Sequence, residues 1–305
     1  MRASFFMKQA YNVNHDQIDS KEILGMSVDP ASDNVYITNA STTIKKLHVP
    51  NDKSHGHSLD LIKLEPPLPK DAWIRSVEVS PSGLLLAIGT YDGHIGRLSS
   101  HDCSRPLIKR IHQSTVYHVK FLKDEKRLAS VSADRQVVIS NVKNLASLYV
   151  LGAHNSWVQS LVVTPDYKSF FSGDLDGNIY MYNSNTCAIE QKFVNFGDPV
   201  MSLDISPDQK YLVAGDSYGW LFLFDLINES QAPRQKRVSN CELTAISFSN
   251  DGCHIVCGFS NGHLKVICTT RLTVFASHVY YNRPIPSLRR VGDQNTFIAA
   301  SDVGR

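Results

Sequence analysis

Residues 157–182 read WVQSLVVTPDYKSFFSGDLDGNIYMY and have the pattern of three short antiparallel strands. An apolar run at 158–163 ends in the turn Thr164-Pro165-Asp166, and a second run follows at 169–173. Asp176-Gly177 is a tight-hairpin signal, and residues 178–182 alternate as a third strand. A sheet this small cannot bury its faces alone, so it requires neighbouring sheets of the same kind.

The rest of the chain repeats this pattern of an apolar start, a turn often spelled Ser-Pro or Asp-Pro, a second run and a small-residue turn. The seven units begin at Ile23, Ile74, Val116, Val158, Val200, Leu243 and Ile285. The intervals between these starts are 51, 42, 42, 42, 43 and 42 residues. A period of about 40–45 residues with four short strands per unit is typical of a propeller blade. The sequence therefore predicts an all-β, seven-bladed β-propeller that forms one domain over residues 1–305.

The seventh unit contains two strands and then ends. The segment 3–8, ASFFMK, precedes Ile23 by about as much as the third strand of one unit precedes the start of the next. We therefore predict that residues 1–20 supply the outer strands of the seventh blade, which would close the ring and remove exposed sheet edges. Two alternatives stay open. The last blade could be incomplete, and residues 1–15, which contain Arg2 and Lys8 and no acid, also have the composition of a mitochondrial transit peptide.

Composition and charge narrow the class of protein. The 31 basic and 29 acidic side chains give a net charge of +2, so no global field attracts the protein to nucleic acid or membrane. The six cysteines include no CxxC pair, and Cys253 and Cys257 lie too far apart on an extended strand for a disulfide. We interpret the cysteines as buried free thiols in a reducing compartment and expect a cytoplasmic or nuclear protein.

In period and turns the units resemble WD repeats across essentially the whole chain. The Trp-Asp pair of that family is absent, and its positions read Leu47-His48, Leu98-Ser99, Ser140-Asn141, Tyr182-Asn183, Phe224-Asp225 and Ile267-Cys268. The family also has a hydrogen-bonded network of a histidine, a Ser or Thr, and a turn aspartate. Parts of it match His112, Ser132 and Asp134, His154 and Asp176, and Thr90 and Asp92. The resemblance implies that these residues are structural and not catalytic.

No motif of catalytic chemistry is present. The sequence contains no GxSxG, HExxH, P-loop or GxGxxG, and the aligned units show no row of acids or histidines that would converge on the central channel. We expect no catalytic residue, metal, cofactor or small-molecule substrate. Two other hypotheses stay open. Residues 28–39, VDPASDNVYITN, resemble the YVTN-type repeats of lactonase-like and quinoprotein-like propeller enzymes, and the basic loop at 234–237 together with Arg289-Arg290 would suit an RNA-associated adaptor.

The placement of aromatic residues indicates an interface. Trp73 and Trp157 occupy the same repeat position, just before the first strand, on the narrower face of the predicted disc. Trp, Tyr, Arg and Met are favoured at interface centres, and in WD-repeat proteins this face is the commonest docking surface. The predicted partner-binding residues are Trp73, Arg75, Thr115, Tyr117, Trp157, Gln159, Met201 and Glu242. We expect a non-catalytic scaffold that binds other proteins of a larger assembly, with nucleic acid contacted only indirectly.

Overall fold

A computed structural model describes residues 23–30, 32, 34–48, 61–69, 72–122, 125–193, 197–228, 232–279, 283–291 and 296–301. In this part of the chain every regular element is a β-strand, and none is a helix that could span a membrane. Six sheets have four antiparallel strands each, in which every strand pairs with the one that follows it in sequence. The predicted all-β propeller is confirmed.

In blades 1 to 3 the strands are β1 (Ile23–Val28), β2 (Asn34–Asn39), β3 (Ile44–His48), β4 (Leu61–Leu64), β5 (Ile74–Val79), β6 (Leu85–Thr90), β7 (His94–Ser99), β8 (Leu107–Arg110), β9 (Val116–Phe121), β10 (Arg127–Ser132), β11 (Val137–Asn141) and β12 (Ser147–Leu151). In blades 4 to 6 they are β13 (Val158–Val163), β14 (Ser169–Asp174), β15 (Ile179–Asn183), β16 (Ile189–Phe193), β17 (Val200–Ile205), β18 (Tyr211–Asp216), β19 (Trp220–Asp225), β20 (Arg234–Arg237), β21 (Leu243–Phe248), β22 (His254–Phe259), β23 (His263–Cys268) and β24 (Val274–Val279). The seventh sheet contains β25 (Ser287–Val291) and β26 (Thr296–Ala300).

The innermost strands form a closed ring. β1, β5, β9, β13, β17, β21 and β25 each contact the next in order, and β25 also contacts β1. The first six of them begin at the residues that anchor the repeat, and Ile285, the seventh anchor, is fully buried two residues before β25. The first strands of all seven units therefore surround a central channel.

The prediction of seven four-stranded blades holds for only six of them among the described residues. The seventh sheet has two strands there, and the strands predicted from residues 1–20 lie outside the described residues. The basic segment 234–237 was expected to be a loop, but it forms the outer strand β20, with all four side chains exposed. It pairs antiparallel with β19, with Leu221 opposite Lys236 and Leu223 opposite Arg234.

The core lies between adjacent blades. Residues of β10 and β11 pack against Val158, Phe170 and Tyr182 of blade 4, and the rings of Phe170 and Tyr182 stack with centroids 4.8 Å apart. The second strand of blade 4 is buried along its full length, because sheets cover both of its faces. The outer strand β12 is largely exposed. Burial therefore falls from the channel to the rim.

The cysteines bear out part of the interpretation given to them. All six are free thiols; Cys103, Cys187 and Cys257 are buried, and burial raises the pKa of the Cys257 thiol. Cys253 is exposed, in contrast to the expectation of buried thiols, because it precedes β22 in the turn that links the first two strands of blade 6.

Candidate functional site

One face of the ring carries the chain segments that enter the innermost strands and the turns between second and third strands. A backbone N–H just after the second strand donates to the carbonyl just before the first. These hydrogen bonds join Tyr91 to Trp73, Ala133 to Thr115, Leu175 to Trp157 and Ser260 to Glu242, at 2.9–3.0 Å. We call this the upper face. It is the face to which the sequence assigned partner binding.

The upper face carries two large, partly exposed aromatic side chains, those of Trp73 and Trp157. Trp73 is 46% exposed and Trp157 is 50% exposed. Trp73 packs edge-to-face against Tyr91, itself exposed, with ring centroids 6.3 Å apart. The neighbouring loops therefore cover the two indoles only in part. About half of each indole surface therefore stays available for a further contact.

A cleft between blades 3 and 4 opens beside Trp157. Its volume is about 420 Å³, and three loops line it: the segments that enter β9 and β13, and the turn between β10 and β11. Trp157 supplies the apolar wall, while Gln113, Asn155 and Arg135 supply polar groups. The lining is mostly polar, with one large aromatic side chain, and such a surface suits a polar peptide segment that carries an apolar anchor.

Arg135 has a strained backbone within this cleft. Its φ angle is 71°, and the corresponding turns of blades 2, 4, 5 and 6 have glycine there, with φ between 79° and 93°. The left-handed conformation costs a non-glycine residue about 1 kcal/mol or more. Eight other non-glycine residues of the described chain also have a positive φ, so Arg135 is singled out by its glycine position and its place in the cleft. The sequence analysis missed Arg135, although aligning the turns would have shown it at a position of glycine.

The next predicted residues lie at the upper end of the channel. The Arg75 guanidinium donates to the carbonyl of Leu24 at 2.6 Å and sits 5.6 Å from the centroid of the Tyr117 ring, so cation–π attraction holds these two predicted residues together. Gln159 and Met201 occupy the same strand position in blades 4 and 5 and are partly buried.

The remaining predicted residues differ in their surroundings. The Thr115 hydroxyl donates to the carbonyl of Tyr91 at 3.1 Å and so connects blades 2 and 3 next to Trp73. Glu242 lies on blade 6, where burial raises the pKa of its carboxyl. The contacts therefore link Trp73, Thr115 and the Arg75–Tyr117 pair across blades 2 and 3. Met201 and Glu242 belong to blades 5 and 6, on another part of the ring.

The histidine networks differ in detail from the predicted ones. His154 bonds Asp174 at 2.7 Å and Ser172 at 2.6 Å, whereas the sequence had paired it with Asp176. Asp174 is the last residue of β14, and its carboxylate is fully buried beside the imidazole. Asp176 lies two residues further on, in the exposed turn. Burial acts to raise the pKa of Asp174, but hydrogen bonds from His154 and Asn178 outweigh it, and the pKa is lowered.

In blade 3 the predicted pair of His112 and Asp134 is present at 2.9 Å. The hydroxyl that bonds His112 is that of Ser130, at 2.8 Å, and not that of Ser132. Ser132 instead accepts the backbone N–H of Asp134, which fixes the turn. These groups are saturated by one another beneath the surface. The described residues also contain no group of three or more His, Cys, Asp or Glu side chains placed to hold a metal.

Comparison with known proteins gives this fold a family. The family described as "WD domain, G-beta repeat" matches residues 105–139, 145–183, 190–225 and 235–267. The chain belongs to the WD-repeat family. Each match begins at or before the outer strand of one blade and ends in the third strand of the next, as 105–139 does from β8 to β11.

Two curated WD-repeat proteins are similar to this chain. WD repeat-containing protein 55 from Arabidopsis thaliana is 25% identical over 193 residues, which cover 62% of this chain and 54% of that protein. WD repeat-containing protein 90 from Homo sapiens is 28% identical over 110 residues, which cover 36% of this chain and 6% of that protein. The chain thus spans about half the length of the first relative and a small part of the second.

Proposed function

We propose that this WD-repeat protein is a non-catalytic scaffold that docks partner proteins on its upper face, as a subunit of a larger assembly. The observation that carries the proposal is the half-exposed Trp157 beside the strained Arg135, in a cleft between blades 3 and 4. WD-repeat propellers generally mediate protein–protein interactions, which supports the same function here. Trp73, Thr115 and the Arg75–Tyr117 pair extend the surface across blades 2 and 3.

The proposal assigns a role to each part of the surface. Trp73 and Trp157 supply the apolar area that a partner removes from water, and aromatic anchors of this kind carry most of the binding energy of many interfaces. Arg135 and Arg75 supply directed hydrogen bonds, since a guanidinium presents several N–H donors in a fixed plane. Gln159, Met201 and Glu242 would form the periphery. We place the protein in the cytoplasm or nucleus, and its six free thiols support a reducing compartment.

Partner capture by matched variants tests the proposal. Trp73→Ala with Trp157→Ala should lose partner proteins that the unaltered chain captures from its native cells, because each truncation removes a half-exposed indole. Tyr149→Ala is the control, since Tyr149 is 45% exposed on the outer strand β12. Supporting partners are those kept by the control and lost by the double variant. Circular dichroism must show that both variants are folded, and an unchanged partner set in the folded double variant would refute the proposal.

Arg135→Gly gives a second arm of the same experiment. Glycine adopts the turn conformation without strain, so the variant should be slightly more stable, by about 0.5–1 kcal/mol. If Arg135 is kept for docking, the more stable variant should bind the same partners more weakly. Equal or tighter binding would remove Arg135 from the docking surface.

We also propose that residues 1–20 complete the seventh blade. Its two described strands leave β26 without a further paired neighbour among the described residues, whereas the other six sheets each have four strands. The ring of inner strands is already closed by contacts of β25 with β1 and β21. The N-terminal segment would therefore add outer strands to an existing sheet.

A further inference from the structure

One layer of the central channel is lined by charged side chains. Each inner strand contributes one residue to this layer. It is the residue that pairs with the third residue of the second strand of the same blade. Around the ring it reads Ser27, Glu78, Lys120, Val162, Asp204, Ser247 and Arg289. A row of identical acids or histidines, as an enzyme site would have, is absent. The layer instead combines acidic, basic and uncharged side chains.

Both carboxylates of this layer are already engaged. Glu78 accepts a hydrogen bond from the Lys120 ammonium at 2.7 Å, so these two charges neutralise each other. Asp204 accepts the backbone N–H of Phe248 at 2.7 Å, and burial raises the pKa of its carboxyl. Neither acid forms an ion pair with Arg289 or with Arg75 above it.

Within the described part of the chain, Arg75 and Arg289 form no ion pair, although the charges of Arg290 and Arg289 act on the buried Asp204 carboxyl. Among the described residues the guanidinium of Arg75 bonds only the Leu24 carbonyl and faces the Tyr117 ring. The guanidinium of Arg289 bonds the carbonyl of Leu288, next to it in the chain, at 3.0 Å. Neither has a carboxylate oxygen within 4.0 Å in that part of the chain. Two such guanidinium groups in a confined channel produce a local field for anions.

His118 lies among these cations. In blade 3 it occupies the layer directly above Lys120, where the other six blades have the small residues Gly25, Ser76, Ser160, Ser202, Ala245 and Ser287. Burial first, and then the charges of Arg289, Arg75 and Lys120, hold the pKa of His118 well below its ordinary value. Its ring has no hydrogen-bond partner among the described residues. The imidazole is thus left with a ring N–H for a ligand, one layer above Lys120, where the charges of Arg289 and Arg75 act on it.

We propose that the central channel binds an oxyanion, a carboxylate or a phosphate group, between Arg75, His118 and Arg289. Guanidinium groups match the two oxygens of such an anion, and charge-assisted hydrogen bonds are the stronger ones. The negative charge would offset the cations that keep His118 neutral. Binding would then be coupled to proton uptake by His118, so affinity would rise as pH falls, with Glu78 and Asp204 opposing it from the layer below. This site shares Arg75 with the proposed docking surface, but it contains no residue of the cleft at Trp157 and does not depend on partner docking.

Anion titrations of the full chain test the site. Sulfate is the tetrahedral probe, because its charge is constant between about pH 6 and about pH 8, where histidine titrates. Succinate is the carboxylate probe. We expect saturable binding by calorimetry, and a His118 imidazole resonance that shifts with the same saturation and titrates at higher pH when the probe is bound. Binding of sulfate alone assigns the site to phosphate-bearing ligands, and binding of succinate alone assigns it to carboxylates.

Charge-matched variants separate a site from general charge attraction. Arg75→Gln and Arg289→Gln should each weaken binding about tenfold or more, since each removes hydrogen bonds from a charged donor. Lys236→Gln removes the same charge from the exposed strand β20 and should leave binding unchanged. An equal loss in all three, or no saturable response to either probe in the unaltered chain, would overturn the proposal. The unaltered chain alone decides the matter if an arginine variant does not fold.

Discussion

Arg135 and Trp157 stand out as single residues because each departs from what the repeat needs at its position. The corresponding turns of blades 2, 4, 5 and 6 have glycine where Arg135 stands, and glycine has no penalty for a positive φ. Where Trp157 stands, blade 2 also has a tryptophan, Trp73, whereas blades 3, 5 and 6 have Thr115, Pro199 and Glu242. A bulky indole and a strained cation are both unnecessary for the fold. Their meeting in one cleft is the best residue-level reason to expect docking there.

The buried network of blade 4 gives a prediction at the same scale. Asp174→Asn should lower the free energy of unfolding by about 2 kcal/mol, because it weakens charged hydrogen bonds to His154 and Asn178. The folded pKa of Asp174 lies below its ordinary value, so its contribution is present above an unfolded pKa of about 3.9 and is lost as pH falls through the folded value. Denaturant titrations at several pH values measure this.

Asp176→Asn is the control for that prediction. Asp176 lies two residues further on in the exposed turn, and its backbone N–H, which the substitution retains, bonds Asp174 at 3.0 Å. The control should change stability little at any pH. A larger loss from Asp176→Asn than from Asp174→Asn would mean that the turn residue, as first predicted from the sequence, is the partner of His154.

The second strand of each blade has the strictest limit on side-chain size, because the next blade packs closely against it. In four blades its fifth residue is glycine, and a Cβ there would collide with the first inner-strand residue of the following blade. Gly173 shows this for Val200, and Gly258 for Ile285. The small residue therefore sets how closely two sheets pack, and through them the spacing of the inner strands around the channel.

Gly173→Ala should lower the free energy of unfolding by about 1–3 kcal/mol, the usual cost of overpacking a core. Its Cβ would lie 2.6 Å from Val200 Cγ1 and 2.5 Å from Ser160 Oγ, both held in place by the inner strands. Gly152→Ala is the matched control, since nothing lies within 4 Å of a Cβ at that position. Thermal and denaturant unfolding of both variants compares them. Equal stability of the two would show that adjacent blades can shift apart at no cost.

Over the whole molecule, the sequence repeat and the structural blade are offset from one another. The match to residues 145–183 contains the outer strand of blade 3 and the first three strands of blade 4. Each repeat therefore ties two neighbouring blades together through the chain. An offset of this kind lets an outer strand of one sheet come from a distant part of the chain, and this is the physical reason for proposing that residues 1–20 pair with the seventh sheet.

Deletion of residues 1–12 tests closure. If the segment completes the seventh blade, its loss exposes a sheet edge and apolar surface, so the thermal midpoint should fall by several degrees. Phe5→Ser with Phe6→Ser in the full-length chain should cause most of the same loss, because these are the most apolar residues of the segment. An unchanged midpoint in both variants would contradict closure.

The sequence predicted most of the fold and part of the candidate site. The apolar run at each strand start recurs with a fixed interval, so the starts of six inner strands could be read directly. The hydrogen-bond partner of His154 could not be read from the sequence, because Asp174 and Asp176 are the same residue type two positions apart. Only the fold shows that Asp174 is the one that points inward. Arg135 could have been found by aligning the turns, which places it where most blades have glycine, whereas the charged channel layer was missed because its members share a register position and not a residue type.

The sequence by itself determined the repeat, the class of fold and the position of the two tryptophans, because local periodicity and turn residues are properties of short segments. Only the tertiary structure decided that Trp157 borders a cleft with Arg135, that Glu78 neutralises Lys120, and that the charges of Arg289 and Arg75 act on His118. These residues come from different blades, many positions apart in the chain. Closing the ring brings them together, and no single repeat contains that information.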